Sequence, residues 1–513
     1  MSDQRKRTVL GIELGSTRIK AVTIDERHQP VSSGDCTWAS RYENGVWTYG
    51  LEEVWSGLRT ALAGIEDRES IAAMGVSAMM HGYLAFDRDW NLLTPFRTWQ
   101  NTITGQAAAE LTARFGFNIP QRWSIAHLYQ AMLNGEEHVP RVAHITTLAG
   151  YVHYMLTGVN ALGVGDASGM FPIDSETCDY DAAMLEKFNA LAAARGLSWT
   201  LEDVLPRVLV AGEDAGKLTE SGSAMLGGLL APGIPFAPAE GDAGTGMTAT
   251  NAVAPRTGNV SAGTSIFSMV VLEKPLSKVY PEIDMVTTPT GRPVAMVHCN
   301  NCTSDINAWA EALHGFAKAA GLSLGKGDVY TTLFESAMLG QKDCGGLIDV
   351  GYLSGEPVTG LEEGRPMMVR MPGTALSFAN LARSLVYGAI VTLKIGMDIL
   401  ADEHVRMDAL LGHGGFFKTP GTAQQLLAGA LNVPVSVMAT AGEGGPWGMA
   451  LLAAYRLNRG AGETLEDYLK ARVFQGVSGS TLAPDPADVE GFDAYMEQYQ
   501  RLLDVERRAV EIL

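Results

Sequence analysis

Apolar and hydroxyl-bearing positions near the start of the chain predict a hairpin. Thr8 to Asp25 reads TVLGIELGSTRIKAVTID. Val9, Leu10 and Ile12 form a β-rich run, Gly15-Ser16-Thr17 is a turn, and Ile19, Ala21 and Val22 resume a strand. Leu51, Val54, Trp55, Leu58, Leu62 and Ile65 recur at helical spacing, and Ile71 to Ser77 is apolar and strand-like. The pattern breaks at Ala254-Pro255-Arg256-Thr257-Gly258. Just beyond, Asn259 to Leu272 reads NVSAGTSIFSMVVL, again strand, Gly-hydroxyl turn, strand. Gly263-Thr264-Ser265 aligns over Gly15-Ser16-Thr17 without a gap. Later, Leu376 to Leu400 has one helical face through Leu381, Ala382, Leu385, Ala389 and Leu393. Thr422 to Leu431 is a helix, Val433 to Val437 a strand carrying Pro434, Gly448 to Tyr455 a small-residue helix, and Glu490 to Leu513 a charged one. Alternating strands and helices predict an α/β class. Two hairpins opening two halves predict a duplicated architecture, residues 1–254 and 255–513, with a nucleotide between the halves.

Composition narrows the classes of function. A chain of 513 residues with 46% hydrophobic and 19% charged residues has room for two full cores. Lys plus Arg is 38 and Asp plus Glu 57, a formal charge of −19. Such a chain repels polyanions, which argues against nucleic acid or anionic membrane as partners. An anionic ligand would have to be met by backbone N–H groups and local dipoles. Cys36, Cys178, Cys299, Cys302 and Cys344 are few and odd in number, which favours a reducing compartment. Arg5, Lys6 and Arg7 resemble the basic start of a signal peptide. No apolar stretch follows, because Glu13, Arg18 and Lys20 interrupt it, so a cytoplasmic location is expected. The 58 glycines exceed the roughly 36 of average usage and fall in short clusters such as Gly241/Gly244/Gly246, Gly412/Gly414/Gly415 and Gly442/Gly444/Gly445/Gly448. That clustering suggests a ligand gripped mainly by main chain.

Individual motifs leave alternatives open. No P-loop is present: Gly212 to Lys217 and Gly321 to Lys326 have three residues between the glycines and lack the Ser or Thr after Lys. Both read as surface turns. In Glu240-Gly241-Asp242-Ala243-Gly244-Thr245-Gly246, Asp242 fits an Asx-turn or helix cap, and it also fits a general base in a crevice. Cys299 and Cys302 have metal-site spacing but no second pair of soft ligands, so coincidence is favoured. His81 follows an apolar strand, where a packed histidine is commoner than a catalytic one.

The order of motifs resembles the FGGY carbohydrate kinases. The motifs are GIELGSTRIKAVTID, MMHG at Met79 to Gly82, TWQN at Thr98 to Asn101, YVHYMLTG at Tyr151 to Gly158 and GDASG at Gly165 to Gly169. EGDAGTG around Asp242, SAGTS at Ser261 to Ser265, GYLSGE at Gly351 to Glu356, LARSLVYGA at Leu381 to Ala389, GHGGFFK at Gly412 to Lys418 and AGEGGPWGMALLA at Ala441 to Ala453 follow. The resemblance implies two ribonuclease-H-like domains of the actin/hexokinase/Hsp70 type, with a nucleotide and sugar cleft between them. It implies ATP and Mg²⁺ as cofactors, a small sugar as substrate and a homodimer. Asp242 matches the catalytic base, and Met80 and His81 the sugar-contacting pair, with Trp99 in the tryptophan-bearing loop. Gly15, Ser16, Thr17 and Lys20 match the first phosphate hairpin, and Gly263, Thr264 and Ser265 the second. Gly414, Gly415 and Lys418 match the adenosine-binding turn. Glu13 and Asp242 match carboxylates that hold Mg²⁺ through water.

Three positions depart from the family pattern: Glu13 stands where Asp is usual, Ala243 where Asn or Gln is common, and Asn101 where an acidic residue is usual. MMHG resembles the QMHG of xylulokinases, whereas the length of GHGGFFKTPGTAQQ is closer to L-ribulokinases. Phosphoryl transfer to the terminal hydroxyl of a ketopentose is therefore expected, with D-xylulose slightly ahead of L-ribulose. Glycerol, gluconate and deoxy-ketoses stay open as acceptors. So does a non-catalytic nucleotide-binding protein on the actin-like fold, in which a lone carboxylate at Asp242 would have no use.

Overall fold

The computed structural model describes residues 7–438 and 444–513. Arg5 and Lys6 of the basic start, and residues 441–443 with Gly442 of the last glycine motif, lie outside the described residues. The chain forms two units, one drawn from residues 1–254, 278–294 and 443–476, the other from 255–277, 295–442 and 477–513.

The first unit is built on β1 (Thr8–Leu14), β2 (Arg18–Ile24), β3 (Pro30–Thr37), β4 (Ile71–Ala78) and β5 (Glu240–Gly241), side by side in the order β5-β4-β1-β2-β3. β1 and β2 are the predicted hairpin, antiparallel, with Glu13 opposite Lys20. β4 and β5 run parallel to the hairpin's first strand. The central strands read as nearly continuous apolar runs because both faces are covered. Leu51–Ala63 is the predicted helix. The helix Gly444–Asn458 lies against β1, and glycine makes this possible. A Cβ at Gly11 would collide with the Pro446 carbonyl, and one at Gly448 with the carbonyl of Thr245.

The unit is therefore not one continuous segment, unlike the expected division into 1–254 and 255–513. Trp447 Nε1 donates to the His28 carbonyl at 2.9 Å, and His28 Nε2 meets the Tyr468 hydroxyl at 2.7 Å. Residues 278–294 are tied in by Thr287, whose amide donates to Ser168 Oγ and whose hydroxyl donates to the Val164 carbonyl, both at 3.0 Å. Asn118 Nδ2 donates to the Ile283 carbonyl at 2.9 Å, and Arg122 pairs with Asp284.

The second unit repeats the plan. β6 (Thr257–Ala262) and β7 (Ile266–Val271) form an antiparallel hairpin. With β8 (Pro293–Cys299), β9 (Ala409–His413), β10 (Val435–Met438) and β11 (Gly479–Leu482) they lie in the order β8-β7-β6-β9-β10-β11. β9 is parallel to β6, and β10 to β9. Pro434 precedes β10 instead of lying within it, and its carbonyl accepts from the Leu410 amide at 2.9 Å.

The single helix expected over Leu376 to Leu400 is two, Phe378–Gly388 and Val391–Asp402, bent by 51°. Gly388 weakens the helix there, and the β-branched run Ile390-Val391-Thr392 follows at once. A side chain at Gly388 would also collide with the Asp349 carboxylate. Among the described residues no single helix is long and apolar enough to cross a membrane.

The C-terminal helix Pro486–Ile512 is anchored by Asp488, which pairs with Arg383 and, at 2.6 Å, with Lys342. Arg383 and Asp488 are both fully buried. Removing one partner leaves the other charge under-compensated away from water. Arg383→Leu is expected to cost about 3–5 kcal/mol in urea unfolding, most of it recovered in the double variant Arg383→Leu/Asp488→Leu. An unchanged urea midpoint for the single variant would contradict this.

Candidate active site

In the first unit the tip of the β1–β2 hairpin is tied down through its carbonyls. The Gly15 amide closes the turn on the Arg18 carbonyl at 2.9 Å. The Gly15 carbonyl accepts from Trp38 Nε1 at 2.7 Å, the Ser16 carbonyl from the Tyr49 hydroxyl at 2.7 Å, and the Thr17 carbonyl from the Trp38 amide at 3.1 Å. The Trp38 and Tyr49 rings pack 4.4 Å apart. Trp99 joins this group by donating Nε1 to Ser16 Oγ at 3.3 Å. Its neighbour Asn101 is buried. It accepts from the Trp47 amide and donates to the Trp47 carbonyl, both at 2.8 Å. A carboxylate could not make the second bond, which gives a structural reason for Asn at that position.

Asp242 begins the helix Asp242–Ala249 directly after β5. Its Oδ1 accepts from the Met80 amide at 3.2 Å. Gly241, not Asp242, is the helix N-cap and no side chain caps the helix; the Asp242 carboxylate accepts instead from another turn. His81 is buried, with φ 69° in the left-handed region that favours glycine. Its Nδ1 is 3.2 Å from the Gly169 carbonyl, and its ring stacks on Trp123. The carbonyl can only accept, so Nδ1 carries the hydrogen. Met80, His81 and Asp242 are thus held together through the 165–169 turn and the Met80 amide.

Four acidic groups gather in this unit. Burial pushes Asp242 up to about 6, against the hydrogen bond from Met80. Burial, and then the charge of Asp242, push Glu13 up to about 7, opposed by Lys20 across the hairpin. Asp166 is raised to about 7 by burial despite the hydroxyl that Thr147 donates at 2.6 Å, and Glu240 to about 8 by burial and by Asp166. Sequence reasoning missed Asp166 and Glu240. The signals available were an acidic residue on each side of Gly241, for Glu240, and the aspartate within the GDASG motif, for Asp166. Among the described residues no group of three or more His, Cys, Asp or Glu side chains is placed to hold a metal directly.

In the second unit the β6–β7 tip is restrained in the same manner. The Gly263 carbonyl accepts from the Thr303 amide at 3.0 Å and hydroxyl at 2.7 Å, and the Thr264 carbonyl from the Cys302 amide at 3.0 Å. Gly414, at φ 103°, rests against the end of β6, where a Cβ would collide with the Ala262 carbonyl. This brings Gly414, Gly415 and the exposed Lys418 to the same end of the sheet as Gly263, Thr264 and Ser265.

Cys299 and Cys302 are buried free thiols, and burial pushes both up in pKa. Of the two asparagines between them, Asn301 makes most of the bonds to the GYLSGE loop, and Asn300 Nδ2 donates to the Gly355 carbonyl at 2.8 Å. Asn301 Oδ1 accepts from the Leu353 and Ser354 amides at 3.0 and 3.1 Å, and Nδ2 donates to Glu356 at 3.1 Å.

Two family models, the N-terminal and C-terminal domains of the FGGY family of carbohydrate kinases, match residues 8–248 and 258–457. The chain belongs to this family. A xylulose kinase from Staphylococcus xylosus is 20% identical over 235 residues, 43% of this chain and 46% of that protein. The chain is thus matched over less than half of that relative's length. A xylulose kinase from Staphylococcus epidermidis is 23% identical over 485 residues, 91% of each chain. The crystal structure of gluconate kinase from Lactobacillus acidophilus shares the fold at TM-score 0.79 and 18% identity, over 98% of this chain and 99% of that one. The FGGY fold matches the two ribonuclease-H-like domains expected from the motifs.

The raised carboxyls bear on stability. Each binds its proton more tightly folded than unfolded, so its contribution is present at low pH and lost as pH rises through the folded value. The buried histidines His127, at about 3, and His153, at about 4, act in the opposite sense. Their effect ends near the unfolded histidine value of about 6.5. Between pH ~6.5 and ~8.5 the carboxyls, with Glu356 at about 7 in the second unit, therefore dominate, and the raised Cys299 and Cys302 thiols act in the same sense at the upper end. The melting temperature should fall across that window, and Glu240→Gln should flatten the fall. A melting temperature rising with pH would contradict the assignment.

Proposed function

We propose that this FGGY protein transfers the γ-phosphate of ATP to the terminal hydroxyl of a ketopentose, D-xylulose slightly ahead of L-ribulose. The observation that carries this reading is Asp242, a carboxylate held by the Met80 amide next to His81 and raised in basicity by burial. At about 6 it is mostly ionised at neutral pH, yet a stronger proton acceptor than an exposed aspartate. In this reading Asp242 takes the proton of the attacking hydroxyl, and Met80, His81 and Trp99 orient the sugar. The amide edges of Gly15 to Thr17 and Gly263 to Ser265 meet the phosphates, Lys20 adds charge, and Gly414, Gly415 and Lys418 receive the adenosine.

Little covalent help is needed, because phosphoryl transfer depends on in-line positioning and on neutralising spread charge. Glu13 and Asp242 suit a hydrated Mg²⁺, which when bound would neutralise phosphate charge. The xylulose kinases among the relatives support a pentulose, and the glycerol kinase from Thermococcus gammatolerans, 26% identical over 202 residues, keeps glycerol among the acceptors to test. The gluconate kinase with the same fold keeps a sugar acid as the second reading, and Ala243 favours an acceptor needing no amide at that position.

A coupled assay of ADP release should show turnover on D-xylulose or L-ribulose above glycerol, gluconate and a no-sugar blank. Asp242→Asn should lower it at least ~10²-fold. Equal, weak release on every compound by wild type and variant would sink the reading. Preference for gluconate would move the acceptor to a sugar acid and leave the base in place.

A further inference from the structure

Two residues before Asp242, the Glu240 side chain enters the interior without a cation. It is 1% exposed, and no lysine or arginine pairs with it among the described residues. Its carboxylate accepts instead from the amides of Gly165 at 3.3 Å and Asp166 at 3.1 Å, at the start of the short helix Val164–Ala167. Bare backbone closes around it. A Cβ at Gly163 or Gly165 would collide with its oxygens, and one at Gly244 would lie 3.1 Å from Oε2. An acid buried with only amide partners is costly to place even when it is protonated.

The segment it holds leads to His81. Gly169, which follows the short helix, presents the carbonyl that receives Nδ1–H of His81. A Cβ there would lie 2.6 Å from Nδ1 and 2.7 Å from Met80 Cε, so the 165–169 turn is pressed directly on the Met80–His81 turn. The same turn gives Asp242 its hydrogen bond from the Met80 amide. A closed circuit results. Glu240 grips the 165–169 turn, that turn grips His81, and the Met80–His81 turn grips Asp242, two residues from where the circuit began.

We propose that Glu240 is a positioning residue for the phosphoryl acceptor: by holding the 165–169 turn it fixes the His81 ring with hydrogen on Nδ1 and keeps Asp242 aligned. The role in catalysis rests on the sugar-kinase reading above, while the hold on His81 does not.

The test uses Glu240→Ala and Glu240→Gln in the full chain. Glutamine keeps one oxygen able to accept an amide. Against wild type on its best sugar, Glu240→Ala should raise the sugar KM at least ~10-fold and lower kcat, with the KM for ATP changed less than ~2-fold. Glu240→Gln should regain at least half of that loss on a logarithmic scale. A fall in kcat with both KM values unchanged would mean only a smaller folded fraction and would overturn the proposal, as would unaltered kinetics. ¹⁵N-histidine NMR, assigned with His81→Gln, reads the ring without any turnover. Wild type should show the Nδ1–H form of His81, Glu240→Ala should lose it, and Glu240→Gln should keep it. An unchanged His81 signal in Glu240→Ala overturns the proposal. If that variant does not fold, a Glu240→Gln protein with wild-type stability but a lost Nδ1–H form and unrecovered KM does the same. A wild type inactive on every sugar would remove the kinase reading and leave the NMR result to decide the hold on His81.

Discussion

Backbone free of side chains is what allows this protein to bury acids without bases to match them. Asp488 and Asp284 are buried with cationic partners, but with a formal charge of −19 other interior acids have none: Glu240 finds backbone amides, and several lie beside bare Cα positions. Glu240 sits among Gly163, Gly165 and Gly244, the Glu13 oxygens lie against Gly445, and Asp349 lies against Gly388. Each acid is thereby kept out of water with its charge weakly compensated, and its proton affinity rises. That is the condition a general base needs near neutral pH, provided it is shifted less than its neighbours. Asp242 is raised to about 6 by burial alone, offset in part by the Met80 amide, whereas a neighbouring acid adds to burial in raising Glu13, Asp166 and Glu240.

The same absence of side chains shapes the fold. Gly11, Gly75 and Gly448 let the helix Gly444–Asn458 lie on β1, on β4 and on the helix that begins at Asp242. Contacts this close cannot be made by a helix carrying larger residues at those positions. They draw a segment from far along the chain into the first unit. In both units a hairpin tip rich in Gly, Ser and Thr is pinned through its carbonyls, by Trp38 and Tyr49 in one and by Cys302 and Thr303 in the other. The partners differ completely, yet the result is alike: a rigid turn with its carbonyl side occupied.

What could be read in advance follows from this division. The hairpins, the helix Leu51–Ala63 and the helix Thr422–Leu431 were legible because each is specified by its own period and turn residues. Asp242, His81 and the glycine turns were legible through motif order. The membership of residues 278–294 and 443–476 was not, since it depends on pairings such as Thr287 with Ser168 and Trp447 with His28 that carry no local signature. The break at Gly388 to Ile390 was masked by a strong apolar face. Asp166 and Glu240 escaped notice because an acid beside glycine reads as a turn, and only the packed structure shows that the side chain points inward.

The departures from the family pattern are explained unevenly by this physics. Asn101 uses its amide hydrogens on the Trp47 and Thr98 carbonyls, so its neutrality is needed where it stands. Glu13 is longer by a methylene than the usual aspartate, and its carboxyl reaches a point 2.5 Å from where Gly445 would carry a Cβ. Any other residue at 445 would have to displace that carboxyl, so the longer acid and the bare position form a matched pair. The match carries the Glu13 charge to the first turn of a 15-residue helix, whose amides and dipole favour an anion there. Lengthening the acid therefore exchanges some reach on one side for support on the other, and the carboxylate remains in the charge field of Asp242. Ala243 has no such partner: it is buried, and nothing in the packing asks for its small size. The difference at that position is best sought in the acceptor, where a missing amide removes one hydrogen-bonding demand without disturbing the base beside it.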